Sequence, residues 1–390
     1  MALGAIVGAA LTDHSAHPFG LWLNGVDLNR NPRNTAQQYG ALLDSIEVVE
    51  QAAGGVSSMH FYLEDPAAQV GIPTPGADFV AMWDLANDHP EFLGLVDTVE
   101  VKPHRNAVGR DMDISCIGIE SLLDAIQVTG QMIHAPIGFG GILQAVLAST
   151  AVPLRALFDP GATSNGSIAY GLANAFANAG LGSDRLFSDQ SLRELLSSFT
   201  QAVTAIGPRR VLCTVDFYGS IRFYSPAVLT GVPDDYATLT ISDTVAGALA
   251  AHDLRYTLEN ELVRRVIING PNGRYEITDG SGRAGVTAAL NYSWITDLAT
   301  ATSIAQAYMA ERAGAARGSF ELQDFSPGAT NYRAGGYVVI TDALVGLSSA
   351  QFTIGSIRKR YNGDGKESWM VSFGGVKPSA GSLVQRLFAA

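Results

Sequence analysis

The last third of the chain is an ordered run of strand-forming segments interrupted by one helix. LVRRVIINGPNGRYEIT (262–278) reads as a β-hairpin. TDLATATSIAQAYMAER (296–312) reads as an amphipathic helix. Leu298, Ala301, Ile304, Ala305 and Tyr308 fall in one stripe, with Thr296 or Asp297 as N-cap. GSFELQD (318–324), YVVITD (337–342), QFTIGSIR (351–358) and SWMVSF (368–373) read as strands, and the glycine-rich YNGDGKES (361–368) turns the chain between the last two. This is the order of a small β-barrel with one flanking helix.

The rest of the chain divides in two. Residues 1–125 read as mostly β, many short strands separated by Gly, Pro and Asp turns, which suggests a barrel or sandwich. LWLNGVDL (21–28) is a strand broken by the turn signal Asn24-Gly25. In RDMDISCIG, Met112, Ile114 and Cys116 alternate with Asp113 and Ser115, one face apolar and the other polar. ESLLDAI (120–126) reads as a short closing helix. Residues 126–256 read as α/β, with helices at 141–148, 168–180 and 191–207. In the last of these Leu192, Leu195, Leu196, Phe199 and Val203 keep helical spacing, Ser191 and Glu194 fit a capping box, and Gly207-Pro208 stops the run. VLCTVDFYGSIRFYSPA (211–227) reads as a hairpin in which Phe217, Ile221 and Phe223 share a buried face. The expected fold is therefore α+β, mainly β: a β-barrel domain over 1–125, a small α/β domain over 126–256 and a second β-barrel domain with its helix over 257–390. The two β regions share a plan of short strands and no readable sequence repeat.

Composition narrows the function. With 47% hydrophobic residues the 390-residue chain can fill several cores, so disorder is not expected. Only 16% of residues are charged, fewer than the usual quarter or so, which fits surface hidden in an oligomer, although 42 glycines dilute the count as well. A net charge of −12, with no basic run longer than Arg358-Lys359-Arg360, argues against a basic nucleic-acid-binding surface. Cys116 and Cys213 sit in apolar runs without zinc-type spacing and read as small buried hydrophobes. The apolar N-terminus lacks a basic leader, with no Lys or Arg before Arg30, and is too short to span a bilayer.

No set of residues reads as catalytic, cofactor-binding or metal-ligating. Asp13, His14 and His17 lie in a loop that shows no third ligand. His60, His89, His104, His134 and His252 are isolated in sequence. Asp111 and Asp113 share a strand face and read as its solvent side, not as a glycosidase pair. Asp234-Asp235 follows Pro233 as a turn, and Asn362-Gly363-Asp364-Gly365 lacks the downstream carboxylates of a calcium loop. Gly280-Ser281-Gly282 has no strand–turn–helix context for a nucleophile. Gly138-Phe139-Gly140-Gly141 has no following Lys-Ser/Thr for a phosphate. Trp22, Trp83, Trp294 and Trp369 lie in or beside apolar runs, where packing is commoner than sugar stacking.

An ordered set of short motifs resembles the bacteriophage tail-hub family, the baseplate hub or minor tail proteins. Phe92, Gly94 and Val96 match its F-x-G-x-V, followed by Cys116-Ile117-Gly118 and Leu122-Leu123-Asp124. Val215, Asp216, Gly219, Ile221 and Phe223 match its V-D-x-x-G-x-(I/L)-x-F hairpin. Ile267-Ile268-Asn269-Gly270 and Ile295-Thr296-Asp297 look like the opening of its second barrel and the step into its helix. Where the family leads into a late strand with R-x-G-D-x-V, this chain has Arg333, Gly335, Gly336 and Tyr337 before Val338. The resemblance runs along nearly the whole chain.

The resemblance implies a structural virion protein at the tail tip. It implies a homotrimer whose two barrels per chain alternate in a pseudo-sixfold ring, joining the sixfold tail tube to the threefold tip and closing or gating the DNA channel. Implied partners are further copies of the chain, the tail tube or distal tail protein, a tail fibre or central tip protein and the tape measure protein. DNA would pass without specific binding, and no stable membrane insertion by this chain is expected. The net negative charge would suit a channel lining that repels DNA or simply solvate the outside; both stay open. Other readings are a distal tail or tail-tube protein, a cell-wall hydrolase, or a carbohydrate-binding tail component. The sequence ends 17 residues after its last strand-like run, so a hydrolase fused there is not expected.

Overall fold

The computed structural model describes residues 19–29, 36–52, 55–85, 89–105, 108–128, 131–133, 185–187, 190–197, 212–215, 221–224, 237–242, 251–255, 263–283, 285–291, 295, 297–312, 317–325, 330, 332–342, 347–361 and 367–374. Strands β1 (Phe19–Leu23) and β2 (Val26–Asp27) form the expected hairpin. Its turn residues Asn24 and Gly25 have φ of 49° and 83°, the left-handed pair that a two-residue hairpin demands and that Asn and Gly tolerate. There follow β3 (Gly40–Ala41), β4 (Glu47–Gln51), β5 (Ser58–Asp65), β6 (Phe79–Asp84), β7 (His89–Pro103) and β8 (Arg110–Gly118).

Alternation decides which way these strands face. In β5, Met59, Phe61 and Leu63 are buried and meet Met112, Ile114 and Cys116 of β8. With Leu21, Val48, Met82 and Phe92 they build one apolar core. Gly94 has a steric reason: a Cβ there would lie 2.2 Å from the Ile117 carbonyl oxygen and 2.6 Å from the Phe92 ring. The F-x-G-x-V spacing thus lets a large ring fold back over a bare backbone. Helix α1 (Leu122–Ala125) closes this region with Leu122 and Leu123 buried.

In the middle of the chain β9 (Gln127–Val128) pairs with β12 (Gln190–Ser191), and β10 (Gln131–Ile133) with β11 (Arg185–Phe187). β13 (Leu212–Val215) and β14 (Ile221–Tyr224) form the expected hairpin, Val215 opposite Ile221. Its turn, with Asp216, Phe217 and Gly219, and the burial of Ile221, Phe223 and Cys213 lie outside the described residues. The expected helix at 191–207 is described over 192–197, where Leu192, Leu195 and Leu196 are buried. Its capping box is made: the Ser191 amide donates to Glu194 Oε2 at 2.8 Å and the Glu194 amide to Ser191 Oγ at 3.2 Å. The helices expected at 141–148 and 168–180 lie outside the described residues. β15 (Leu239–Ser242) and β16 (Ala251–Arg255) complete this stretch.

The C-terminal stretch holds β17 (Val263–Gly270), β18 (Gly273–Thr278), β19 (Val286–Asn291), α2 (Leu298–Arg312), β20 (Arg317–Phe325), β21 (Tyr337–Asp342), β22 (Leu347–Tyr361) and β23 (Glu367–Phe373). Every strand and the helix expected in this third are present, but they do not share one sheet; the turn expected at 361–368 lies mostly outside the described residues. β18, β17 and β19 form a three-stranded sheet, and α2 packs on it through Ala301, Ile304, Ala305 and Met309. Asp297 caps the helix, accepting from the Thr300 amide at 2.8 Å. The expected stripe needs one correction: Leu298 is 59% exposed and Met309 is buried instead. Leu298 sits in the first turn, short of the sheet.

The remaining strands join a 14-stranded sheet whose main path runs β16-β20-β23-β22-β4-β5-β8-β7-β6-β1-β2. β15 lies parallel to β21, and β21 pairs the first half of β22. The second half of β22 pairs β23 on one side and β4 on the other. Two closed barrels were expected, and among the described residues neither β region closes on itself. The reason is local: β4 presents its edge to β22, so strands from the two ends of the chain continue one another. The described protein is mainly β, with three apolar cores: one under β1–β8, one under α2, and one of Leu239, Phe320, Val338, Ile357, Trp369 and their neighbours.

Candidate functional site

The long sheet has one face that is polar across seven adjacent strands. Strand register aligns Lys102, Glu100 and Thr98 of β7 with Asp111, Asp113 and Ser115 of β8, and these with Glu64, Tyr62 and His60 of β5. His60 stands opposite Glu47 of β4, Glu47 opposite Arg360 of β22, and Arg360 opposite Ser368 of β23. Glu321 of β20 stands opposite Met370. Glu47, Glu64, Glu100, Asp111 and Asp113 against Lys102 make the face acidic over β4, β5, β7 and β8, whereas β22, β23 and β20 carry Arg358 and Arg360 against Glu321.

Its charges are organised. Glu47 takes Arg360 at 2.7 Å and Arg358 at 3.4 Å, both across the β4–β22 junction. His60 and His104, which read as isolated in sequence, are not: His60 Nε2 lies 2.5 Å from Asp113 and His104 Nδ1 lies 2.7 Å from Asp111. Asp113 faces outward as expected, whereas Asp111 is 8% exposed, covered by His104 and by the Tyr62 hydroxyl that donates to it. Burial, and then that hydrogen bond, raise the Tyr62 phenol above its usual range.

The opposite face at the same junction holds a cluster that sequence reasoning missed. Glu50 of β4, Glu91 of β7, Arg333 of the loop before β21, and Lys359 of β22 are 5%, 3%, 3% and 1% exposed. Arg333 Nη1 lies 2.5 Å from Glu50 and 3.6 Å from Glu91, and its other amino group donates to the Pro90 carbonyl. Lys359 Nζ lies 2.9 Å from Glu50 and 2.5 Å from Glu91, and 4.7 Å from the Trp369 ring centroid. Burial alone would raise the Glu50 carboxyl; Arg333 and Lys359 outweigh it and hold it below the usual range. Burial alone would lower Lys359; Glu50 and Glu91 outweigh it and hold it above. Four charges therefore cancel in a dry layer. Beside them Glu367 is pushed up to about 7 by burial, despite the attraction of Lys359. A signal existed: Glu50 shares the parity of buried Val48, and Lys359 that of buried Ile357 and Tyr361. A charge in phase with a strand's apolar face is a buried charge.

Other candidate residues have structural surroundings. Ser281 donates to Asp279 at 2.7 Å, and Arg264 reaches Asp279 at 2.7 Å. The Ser281 amide and hydroxyl hold Asp279 down at about 2, so this loop is an Asx turn, not a nucleophile. Burial, with Asp97 beside it, pushes the Cys116 thiol up to about 12, so it packs and does not react. Of the four tryptophans expected to pack, Trp22 and Trp369 are buried, Trp83 is half-buried, and Trp294 lies outside the described residues. Among the described residues no three His, Cys, Asp or Glu side chains gather as metal ligands, and no helix is long and apolar enough to cross a membrane. Asp13, His14, His17, His134, Asp234, Asp235, Gly138-Phe139-Gly140-Gly141 and Asn362-Gly363-Asp364-Gly365 lie outside the described residues, as do the side chains of His89 and His252.

No protein-family model matches the sequence, and no curated protein matches it. Solved structures do. The tail protein from Neisseria meningitidis aligns over 92% of this chain and 97% of its own, at a TM-score of 0.61 and 12% identity. The 43 kDa tail protein of prophage MuSo2 from Shewanella oneidensis aligns over 91% and 97%, at 0.60 and 13%. Prophage tail protein gp18 from Listeria monocytogenes aligns over 90% and 93%, at 0.50 and 12%. Identity this low carries the fold alone, and the alignments span nearly the whole of each chain. The resemblance read from the ordered motifs holds at the level of architecture: this chain has the fold of phage tail proteins.

Proposed function

We propose that the protein is a structural component of a bacteriophage tail tip, a hub in which three copies form a ring under the tail tube. The observation that carries this reading is the seven-strand polar face running through both β regions of a chain with a tail-protein fold, with its carboxylates gathered on β4, β5, β7 and β8. In a ring, such a face supplies a wall to which each copy contributes two tube-like units, 1–125 and 257–390, with 126–256 outside them. Closure that the described strands of one chain lack is then completed by neighbouring copies. DNA is densely anionic, and an acidic wall repels it and keeps it mobile within a screening length of roughly 8 Å. The ring docks on a tail tube or distal tail protein, meets the tape measure protein inside, and carries a fibre or central tip protein. It closes or gates the channel, and the chain acts without catalysis.

Light scattering on the purified chain or its tail-tip complex, with imaging of assembled tails, tests this. Three copies of the 41.1 kDa chain, about 123 kDa, are expected at the tip end of the tube. Six copies would make it a distal tail or tube protein, and a persistent monomer absent from tails would end the reading. Glu64→Lys with Glu100→Lys should slow DNA ejection from assembled particles; an unchanged rate would put the acidic face elsewhere than the channel.

A further inference from the structure

The two apolar cores on either side of the β4–β22 ladder do not merge. Tyr361 alone among the C-terminal residues enters the core under β1–β8, and the core beyond β22 draws wholly on residues 239–373. Between them lies the layer of Glu50, Glu91, Arg333 and Lys359. Among the described strands this ladder, five residue pairs from Gln51↔Ser356 to Glu47↔Arg360, is the one that joins the two ends of the chain. Most of its other links are polar, with hydrogen bonds from the Ala52 amide to the Gly355 carbonyl and from the Tyr361 amide to the Ile46 carbonyl.

An ionic seam differs from an apolar one in two ways. It holds in a single geometry, because charges must meet at hydrogen-bond distance, whereas apolar surfaces tolerate sliding. It also opens at lower cost, because each parted charge regains its hydration, and that hydration nearly offsets the attraction lost. The closed seam leaves one more group to be hydrated on opening: the Tyr361 hydroxyl is buried without a hydrogen-bond partner among the described residues. We propose that the β4–β22 seam is a built-in opening line, at which the two halves of the sheet part as bodies while their cores stay folded. The cluster of Glu50, Glu91, Arg333 and Lys359 is the latch that closes it in one register. This device belongs to the single chain and does not depend on its role in a tail.

Native-state hydrogen exchange on the purified full chain tests it. In the unmodified protein, peptides covering 46–52 and 355–361 should share one opening and exchange about tenfold or more faster than the core peptides 59–63, 112–116 and 369–373. Met112→Ala, in the core under β1–β8, should speed peptides 59–63 and 112–116 about tenfold or more and leave the seam peptides within about twofold. Lys359→Met, which destabilises the closed seam itself, should speed the seam peptides about a hundredfold or more. The milder Glu91→Gln should act in the same direction. Seam and core peptides exchanging together in the unmodified protein would overturn the proposal, whatever the variants do. So would a Met112→Ala protein in which the seam peptides speed up as much as the core peptides.

Discussion

Replacing Lys359 by Met takes one positive charge out of a buried layer whose formal charges otherwise cancel. The Lys359 ammonium lies 2.9 Å from Glu50, 2.5 Å from Glu91 and 4.7 Å from the centre of the Trp369 ring. Met fills nearly the same volume, so the loss is electrostatic and not a cavity. Glu50 keeps Arg333 at 2.5 Å, but Glu91 loses its nearer cation and keeps Arg333 at 3.6 Å. Removing one partner of a buried ion pair costs about 3–5 kcal/mol, and the lost cation–π contact adds about 1 kcal/mol. Urea denaturation of the purified chain should therefore show a loss of about 4–6 kcal/mol. Glu91→Gln in the same chain removes the Glu91 charge, so the double variant should recover about 1–3 kcal/mol over Lys359→Met alone. A loss below about 1 kcal/mol would mean that water reaches the layer. A double variant as unstable as the sum of both single ones would mean that the pair is not coupled.

Glu367, raised by burial from 4.5 to about 7, gives a pH dependence of definite sign. Its stabilising contribution is full below pH 4.5 and is lost as pH rises through about 7, up to about 3 kcal/mol. Glu367→Gln should flatten that part of the pH–stability curve; an unchanged slope would show that another group titrates there. Gly94→Ala should cost about 1–3 kcal/mol, because the added methyl meets the Ile117 carbonyl oxygen at 2.2 Å; a neutral result in thermal unfolding would remove the close-approach explanation. Ser191→Ala should cost about 1 kcal/mol and speed amide exchange over 192–197, through loss of the cap to Glu194. Unchanged protection there would mean that Leu192, Leu195 and Leu196 hold the turn without it.

Local physics in the sequence determined the elements. Period-two alternation set β8 and the face it buries. Asn24-Gly25 set a turn, and Ser191 with Glu194 set a helix start, because each of these depends on residues within a few positions of one another. Asp297 was legible as a cap for the same reason. How the elements combine was decided only in the tertiary structure. The sheet runs from β4 into β22 because two edges far apart in sequence meet there, and strand alternation says which face a residue takes but not which edge its strand will find. The same limit explains the misread residues. His60 and His104 are isolated along the chain and paired across strands, since Asp113 and Asp111 arrive on a neighbouring strand. Arg358-Lys359-Arg360 looks like one short basic run, and the pleat sends its ends to the polar face and its centre into the dry layer. Lys359 can lie there because Glu50 and Glu91 come to meet it from strands more than 260 residues earlier in the chain.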